Sequence, residues 1–354
     1  MTFDRYFQGT KKRLLQDLDK FMSAKKNKMS RLKPWGSDVI RRLRRFTGKG
    51  KMVRGGLVCL GFEMAGRRVG GTALRAGTAL ELIQSALLIH DDIMDRDAIR
   101  RGEPSIHEQY ALLAGGAGRT SASHLGISMG ICAGEIAIFL AFEALAGLPA
   151  PGHRVAEVQG LFASEFGLVG LGQMLDIQAG ASGRSLSERE ILDLYRYKTA
   201  GYSFSLPLIA GWTLAGGSRF VRENLSRLGE ALGLVFQLKD DELGLFGDEK
   251  VIGKPVGSDV RQGKKTLLYH RLLGCATAGE RKNLAAVFGR PDASVEDILL
   301  VQRLAERHGI AEDIRRTMKK YGRQAQRLIK GLPVEPKCRE VLESLLDFNL
   351  TRRS

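Results

Sequence analysis

From Val53 onward, apolar side chains recur every three or four residues. This spacing predicts helices over roughly 53–66, 72–98, 122–147, 153–179, 188–215, 219–245, 264–277, 278–288, 294–307, 310–331 and 335–352, divided mainly by Gly, Pro or charged clusters. Strand-like alternation is scarce. Before Val53 the chain is polar and basic, and the helical spacing of Tyr6-Phe7, Leu14-Leu15, Leu18 and Phe21-Met22 predicts one or two peripheral helices. No Pro- or Ser-rich linker and no short-period repeat divides the rest. The reading is all-α: a basic helical segment over 1–47 and a single domain over 48–354, built from a dozen or so mostly antiparallel helices.

Composition narrows the class. With 44% hydrophobic and 27% charged residues among 354, the chain resembles an ordinary globular protein, which argues against disorder, collagen and coiled coil. Lys and Arg number 55 against 39 Asp and Glu, a net charge of +16, and an excess of that size implies an anionic partner. Cys59, Cys132, Cys275 and Cys338 stand far apart without zinc-ligand spacing, so neither a disulfide framework nor structural zinc is expected. The basic N-terminal stretch lacks the apolar core of a signal peptide. Gly or charge is read as interrupting each apolar run short of the roughly 18–20 residues of a membrane span. A cytoplasmic protein, at most peripheral to a membrane, is expected.

Two carboxylate clusters carry the candidate chemistry. Residues 81–95 read ELIQSALLIHDDIMD and residues 236–248 read FQLKDDELGLFGD, so a paired Asp twice follows an apolar, Gln-bearing helix. At 3.6 residues per turn, Gln84, Asp91 and Asp95 lie within about 40° of one another. Like charges at i,i+4 cost a helix about 0.2–0.5 kcal/mol, so a cation is expected between them. Oxygen-only ligands suit Mg²⁺, usually held by one or two carboxylates plus substrate phosphates. Asp240 and Asp241 repeat the arrangement after Gln237. Cations supply the complement: Lys51 and Arg54 in GKGKMVRGG, Arg100 and Arg101 in DAIRRGEPSIH, Lys198 in YRYKTAGYSF, Lys254 in VIGKPVG, and Lys264 and Lys265 in RQGKKT. Most adjoin Gly, where backbone can approach an anion closely. Together they form a site for two polyanions and bridging metal.

At these residues the sequence resembles the trans-prenyltransferases, the polyprenyl synthetase family that includes farnesyl and geranylgeranyl diphosphate synthases. The resemblance covers roughly residues 45–275. It rests on GKMVR, DDIMD followed by RRGEPSIH, HLGISMGICAGE, GQMLDIQAG, YKTAGYSF and FQLKDDELGLFGDEKVIGKPVGSDVRQGKKT. It implies an isoprenoid synthase fold of long antiparallel helices around a deep central cavity, usually a homodimer, that joins isopentenyl diphosphate to an allylic prenyl diphosphate. It also implies that Asp91, Asp95 and Asp240 are metal ligands supported by Asp92 and Asp241, with about three Mg²⁺ per site. Arg100, Lys198, Lys254 and Lys264 would hold the allylic diphosphate, and Lys51, Arg54, Gln84 and Arg101 isopentenyl diphosphate. Thr199 and Gln237 would turn oxygen dipoles toward the developing allylic cation, with Gln173 and Asp176 lining the same cavity. Lys198, Thr199, Gln237 and Arg100 are thus the catalytic candidates.

Gly244 departs from the family's second motif, which usually carries a third Asp there, and it raises a non-catalytic or regulatory subunit as the alternative reading. Five and four positions before Asp91 stand Ala86 and Leu87, where short-chain enzymes of the family often place aromatics. A product of geranylgeranyl length or longer follows, unless Phe162 or Phe166 stops the chain. Terpene cyclisation is disfavoured because Lys51, Arg54 and Arg101 imply a second diphosphate pocket. The basic stretches at 25–45 and 313–330 lack interleaved aromatics, so no nucleic-acid partner is expected. His90 reads as a structural histidine beside the aspartates.

Overall fold

The computed structural model describes residues 1–114, 118–181, 184–249 and 256–352. Its helices follow the apolar periodicity closely: α1 (Phe3–Met29), α2 (Trp35–Gly48), α3 (Val53–Met64), α4 (Gly71–Met94), α5 (Ile106–Ala111), α6 (Arg119–Ala146), α7 (Gly152–Ala181) and α8 (Glu188–Tyr195). A π-helical segment, Arg196–Ser205, joins α8 without a break to α9 (Leu206–Ala215). Then come α10 (Arg219–Phe246), α11 (Ser258–Arg261), α12 (Leu267–Cys275), α13 (Ala278–Val287), α14 (Val295–Arg307), α15 (Ile310–Gly331) and α16 (Pro336–Thr351). The class is all-α, as the periodicity predicts.

Backbone contacts separate two compact units, Asp4–Gly160 with Pro207–Ser218, and Met1–Phe3 with Leu161–Leu206 and Arg219–Ser354. In the first, α4 packs along α6 and α3. Small residues set these approaches: a Cβ on Gly134 would strike the His90 ring, and one on Gly211 of α9 would strike the Val58 carbonyl of α3. In the second, α10 is the hub, packed on the π-helical segment, α15 and α16. The bulky side chains of Leu234, Leu238, Leu267, Leu272, Val301 and Ile314 fill one of its apolar clusters.

Three expectations are corrected. The N-terminal helices are not peripheral: Leu14, Leu18 and Met22 of α1 are fully buried, and Leu14 wedges against Gly55 and Gly77. Helix α4 stops at Met94, with Asp95 as its C-cap, rather than running to 98. Beyond it, β1 (Ile99–Arg100) pairs antiparallel with β2 (Glu103–Pro104), the one sheet among the described residues. Third, Thr120–Ala146 of α6 is long and apolar enough by length and composition to cross a membrane. The glycines read as interruptions sit inside the helix, where Gly126, Gly130 and Gly134 bring it against α5 and α4. Only 39% of its apolar window is buried.

Candidate functional site

The first aspartate cluster ends α4. Asp92 is fully buried and accepts a hydrogen bond from Arg100 Nε at 2.6 Å, and the same guanidinium pairs with Asp97 at 3.0 Å. The hairpin makes this geometry: Arg101 and Gly102 turn with φ of 55° and 74°, folding Arg100 back onto the helix end. A non-glycine residue at positive φ is strained, and Arg101 is held there by its bond to the Phe46 carbonyl and by its guanidinium 5.1 Å from the Phe46 ring centre. Burial pushes the Asp92 carboxyl up to about 6, with the Arg100 ion pair pulling the other way. Its Oδ2 is buried with no hydrogen-bond partner. Asp91 and Asp95 are half-buried beside it.

Upstream on α4, Glu81 is a residue that the sequence reading missed. Its carboxylate is buried and accepts a hydrogen bond from the Gly55 amide at 2.8 Å. Burial raises its pKa, while Arg54 and Arg101 oppose the rise. Two predicted isopentenyl-side cations thus converge electrostatically on one hidden acid. Gln84, one turn further along, is buried with Oε1 lacking a partner, and Lys51 is exposed in the turn before α3. Ala86 is fully buried and Leu87 half-buried. His90 lays its ring on Gly134 and directs Nε2 toward the Ile131 carbonyl at 3.4 Å, a packing role.

The second cluster, on α10, splits its two aspartates. Asp241 is buried with both oxygens engaged: Tyr195 Oη donates to Oδ2, and Gln237 Nε2 donates to Oδ1 at 2.9 Å. Tyr195 Oη in turn accepts from the Leu267 amide at 2.9 Å, and Gln237 Oε1 accepts from Thr199 Oγ1 at 2.8 Å. Burial, then the nearby Asp259 carboxylate, pushes Asp241 up to about 8 against these hydrogen bonds. Asp241 is therefore a buried hydrogen-bond hub rather than an open ligand. Asp240, some 100° around the helix, is 42% exposed at its side chain and pairs with Arg352.

Lys198 and Thr199 sit on the π-helical segment, where the wider turn re-aims side chains, a feature frequent at functional sites. Lys198 pairs with Asp176 of α7. Gly233 of α10 permits this segment to lie close, since a Cβ there would strike Ala200. Periodicity cannot distinguish a π turn from an α turn over so few residues. Gln173 is half-buried on α7 one turn before Asp176. Lys254 lies outside the described residues. Lys264 is half-buried, whereas Lys265 lies over the Tyr269 ring, 5.4 Å from its centre.

Gly244 has a neighbour that the sequence did not disclose. A Cβ at Gly244 would stand 3.0 Å from Asp259 Oδ2, and the two residues line one small cavity with Asp241. Asp259 is brought there by α11, where Gly257 at φ 80° turns the chain and donates its amide to the Gly244 carbonyl at 2.9 Å. Among the described residues no three His, Cys, Asp or Glu side chains converge to hold a metal ion unaided. The donor chemistry nonetheless fits a hard cation: each cluster is made of carboxylates, and Asp92 Oδ2 is buried without a partner.

Helix-borne carboxylates thus stand at two places, each paired with an arginine: Asp92 with Arg100 and Asp240 with Arg352. Residues 39–304 match the polyprenyl synthetase family model. The chain is 32% identical to the geranylgeranyl diphosphate synthase of Saccharolobus solfataricus, covering 87% of this chain and 88% of that one. It is 33% identical to a short chain isoprenyl diphosphate synthase of Methanothermobacter thermautotrophicus over 86% and 87% of the two. Among solved structures it resembles a geranylgeranyl pyrophosphate synthase of Corynebacterium glutamicum, complexed with isoprenyl diphosphate and magnesium, with TM-score 0.90, 27% identity and all of both chains covered. The chain therefore belongs to the polyprenyl synthetase family of prenyltransferases and has the isoprenoid synthase fold.

Proposed function

We propose that the protein elongates an allylic prenyl diphosphate with isopentenyl diphosphate to a linear product of geranylgeranyl length or longer. The observation that carries this reading is the hydrogen-bonded run Thr199, Gln237, Asp241, Tyr195, Leu267. It fixes two neutral oxygen dipoles, Thr199 Oγ1 and Gln237 Oε1, beside Lys198 on the π-helical turn. Such dipoles stabilise positive charge developing on an allylic carbon without capturing it as a nucleophile would. Lys198, Lys264, Lys254 and Arg100 hold the allylic diphosphate, and Lys51, Arg54, Gln84 and Arg101 hold isopentenyl diphosphate.

Asp91, Asp95 and Asp240 would hold Mg²⁺, with Asp92 and Asp241 as buried supports, and about three ions complete the set. Bound Mg²⁺ would neutralise the diphosphate so that it can leave. Each protein carboxylate contributes one or two oxygens and leaves the remaining coordination to water and phosphate. Arg100 orients the first cluster by holding Asp92 in place. No side-chain base is needed, because the departing diphosphate can take the proton. Asp259 beside Gly244 supports the catalytic reading over a non-catalytic subunit, since it keeps a carboxylate where the motif lost one.

A second copy of the chain covers α6 in this reading. Leu125, Ile131 and Phe139 are 38%, 46% and 69% exposed on one side of α6, and clustered exposed apolar side chains of this kind mark protein–protein contact. Glu135 stands exposed in the middle of that face. A carboxylate there is costly in lipid but tolerable at a protein interface. Four cysteines outside any disulfide accord with a cytoplasmic location.

The test is incubation of purified protein with isopentenyl diphosphate, Mg²⁺ and dimethylallyl, geranyl or farnesyl diphosphate, followed by sizing of the dephosphorylated alcohols. Linear alcohols of twenty or more carbons are expected. Farnesol as the sole product would overturn the length, and folded protein that binds diphosphate without product would favour the subunit reading.

A further inference from the structure

A further cavity is lined by Lys265 but by none of the residues assigned to the diphosphates or the metal above. It holds about 350 Å³, at the small end of the roughly 300–1,000 Å³ typical of small-molecule sites. Its floor is apolar: Leu186 and Ile191 are buried, Leu273 is half-buried, and Tyr269 is buried with its ring stacked on Phe288. Its rim is basic, with Lys265 and His270 half-buried and Arg281 exposed. Among the described residues no carboxylate lines it.

The acids nearby are committed elsewhere. Glu188 pairs with Arg271, Glu190 with Arg184 and the Ser187 cap, and Glu280 with His308 and the Thr277 cap. Among the described residues none of Lys265, His270 and Arg281 has a carboxylate partner, and Arg281 makes only a 3.5 Å bond to the Gly274 carbonyl. Uncompensated cations above an apolar floor match a small amphiphile with an anionic head and a short hydrocarbon tail. Fixed Arg and movable Lys donors suit phosphate oxygens.

The same wall reaches the second aspartate cluster. Thr266 caps α12 and lines both this cavity and the small one holding Asp241, Gly244 and Asp259. The next residue, Leu267, donates its amide to Tyr195 Oη, which is bonded to Asp241. An occupant touching Lys265 and Thr266 thus sits one residue from the hydrogen bonds that position Asp241.

We propose that this cavity is a second, non-catalytic site for a small diphosphate, either a short prenyl diphosphate or inorganic diphosphate, and that its occupancy restrains α12 and slows turnover. The identity of the ligand rests on the prenyl diphosphate reading above, because that reaction surrounds the protein with both anions. The geometry of the cavity does not.

The test is calorimetric titration of the full-length protein with geranyl diphosphate and, separately, with inorganic diphosphate, in the presence of Mg²⁺. Beyond binding at the two diphosphate pockets of the active site, a further class is expected in the native chain, and Arg281→Glu, on an exposed side chain, should weaken that class by about tenfold or more while leaving the others unchanged. Lys265→Ala should weaken the same class. Geranyl diphosphate binding more tightly than inorganic diphosphate assigns the apolar floor to a prenyl tail. Equal affinities assign the site to the diphosphate alone. Steady-state rates should show inhibition by excess geranyl diphosphate that Arg281→Glu relieves, with kcat/KM at low substrate unchanged. Binding in which no class is altered by either substitution overturns the proposal even if prenyl product forms. A class weakened by Arg281→Glu in a protein that forms no product overturns the function and leaves the site standing.

Discussion

The guanidinium of Arg352 donates to Asp240 Oδ1 and, at 2.9 Å, to the Phe236 carbonyl, while lying 4.0 Å from the centre of the Phe236 ring. One side chain thereby ties the chain beyond α16 to the exposed carboxylate of α10. A positive group on Asp240 occupies the face on which a divalent cation would act. Replacing Arg352 by Gln keeps a donor but removes the charge, so Mg²⁺ should half-saturate the protein at lower concentration. Loss of the charge-assisted bond should cost about 1 kcal/mol of stability, because Asp240 is partly solvated. Calorimetric Mg²⁺ titration and thermal unfolding check both. Unchanged half-saturation would mean that Arg352 does not compete with metal.

Tyr195→Phe removes one oxygen and strands two buried partners, Asp241 Oδ2 and the Leu267 amide. Each unmet buried group costs about 1–3 kcal/mol, so the variant should unfold at lower denaturant concentration with unchanged m-value. The hydrogen bond from Tyr195 lowers the Asp241 pKa, and its loss should raise that pKa further. Carboxyl NMR titration reads this directly, and a falling pKa would contradict the assigned donor.

Gly244→Asp restores the family's usual carboxylate beside Asp259. Two carboxylates near contact repel by about 1–4 kcal/mol according to solvent exposure. The variant should be less stable without metal and should gain more in melting temperature from Mg²⁺ than the native chain does. An equal Mg²⁺ increment in both proteins would show that Asp259 stands outside the metal's reach.

Asp92 makes the first cluster pH-dependent. Its folded pKa, pushed up to about 6 by burial, exceeds the ordinary 3.8. The folded chain therefore keeps a proton that the unfolded chain loses in this interval. The stability contributed by protonated Asp92 is full below pH 3.8 and gone above about 6. Mg²⁺ binding favours the ionised carboxylates, so apparent affinity should rise between pH 5 and 7 with proton release. Arg100→Ala should destabilise the fold by about 3 kcal/mol by stranding a buried charge, and should move that affinity rise to higher pH. A Mg²⁺ affinity flat across this interval would separate Asp92 from the metal.

Apolar periodicity by itself determined the long helices from α3 onward, though not all of their ends, because each long helix must bury one face and its sequence therefore repeats every three or four residues. Motif spacing likewise placed the aspartate clusters and the basic segments, since residues three or four apart on a helix share a face whatever the rest of the chain does. Tertiary structure alone decided what those residues meet. Glu81 looked like an ordinary polar position in ELIQ until Gly55 and Arg54 closed over it, and Asp241 looked like Asp240 until Tyr195 and Gln237 engaged both its oxygens. Asp259 reaches Gly244, and Arg352 reaches Asp240, across 15 and 112 residues of chain. Local spacing fixes which face of a helix a residue occupies, but burial, charge and hydrogen-bond partners come from segments distant in sequence, and only folding brings those together.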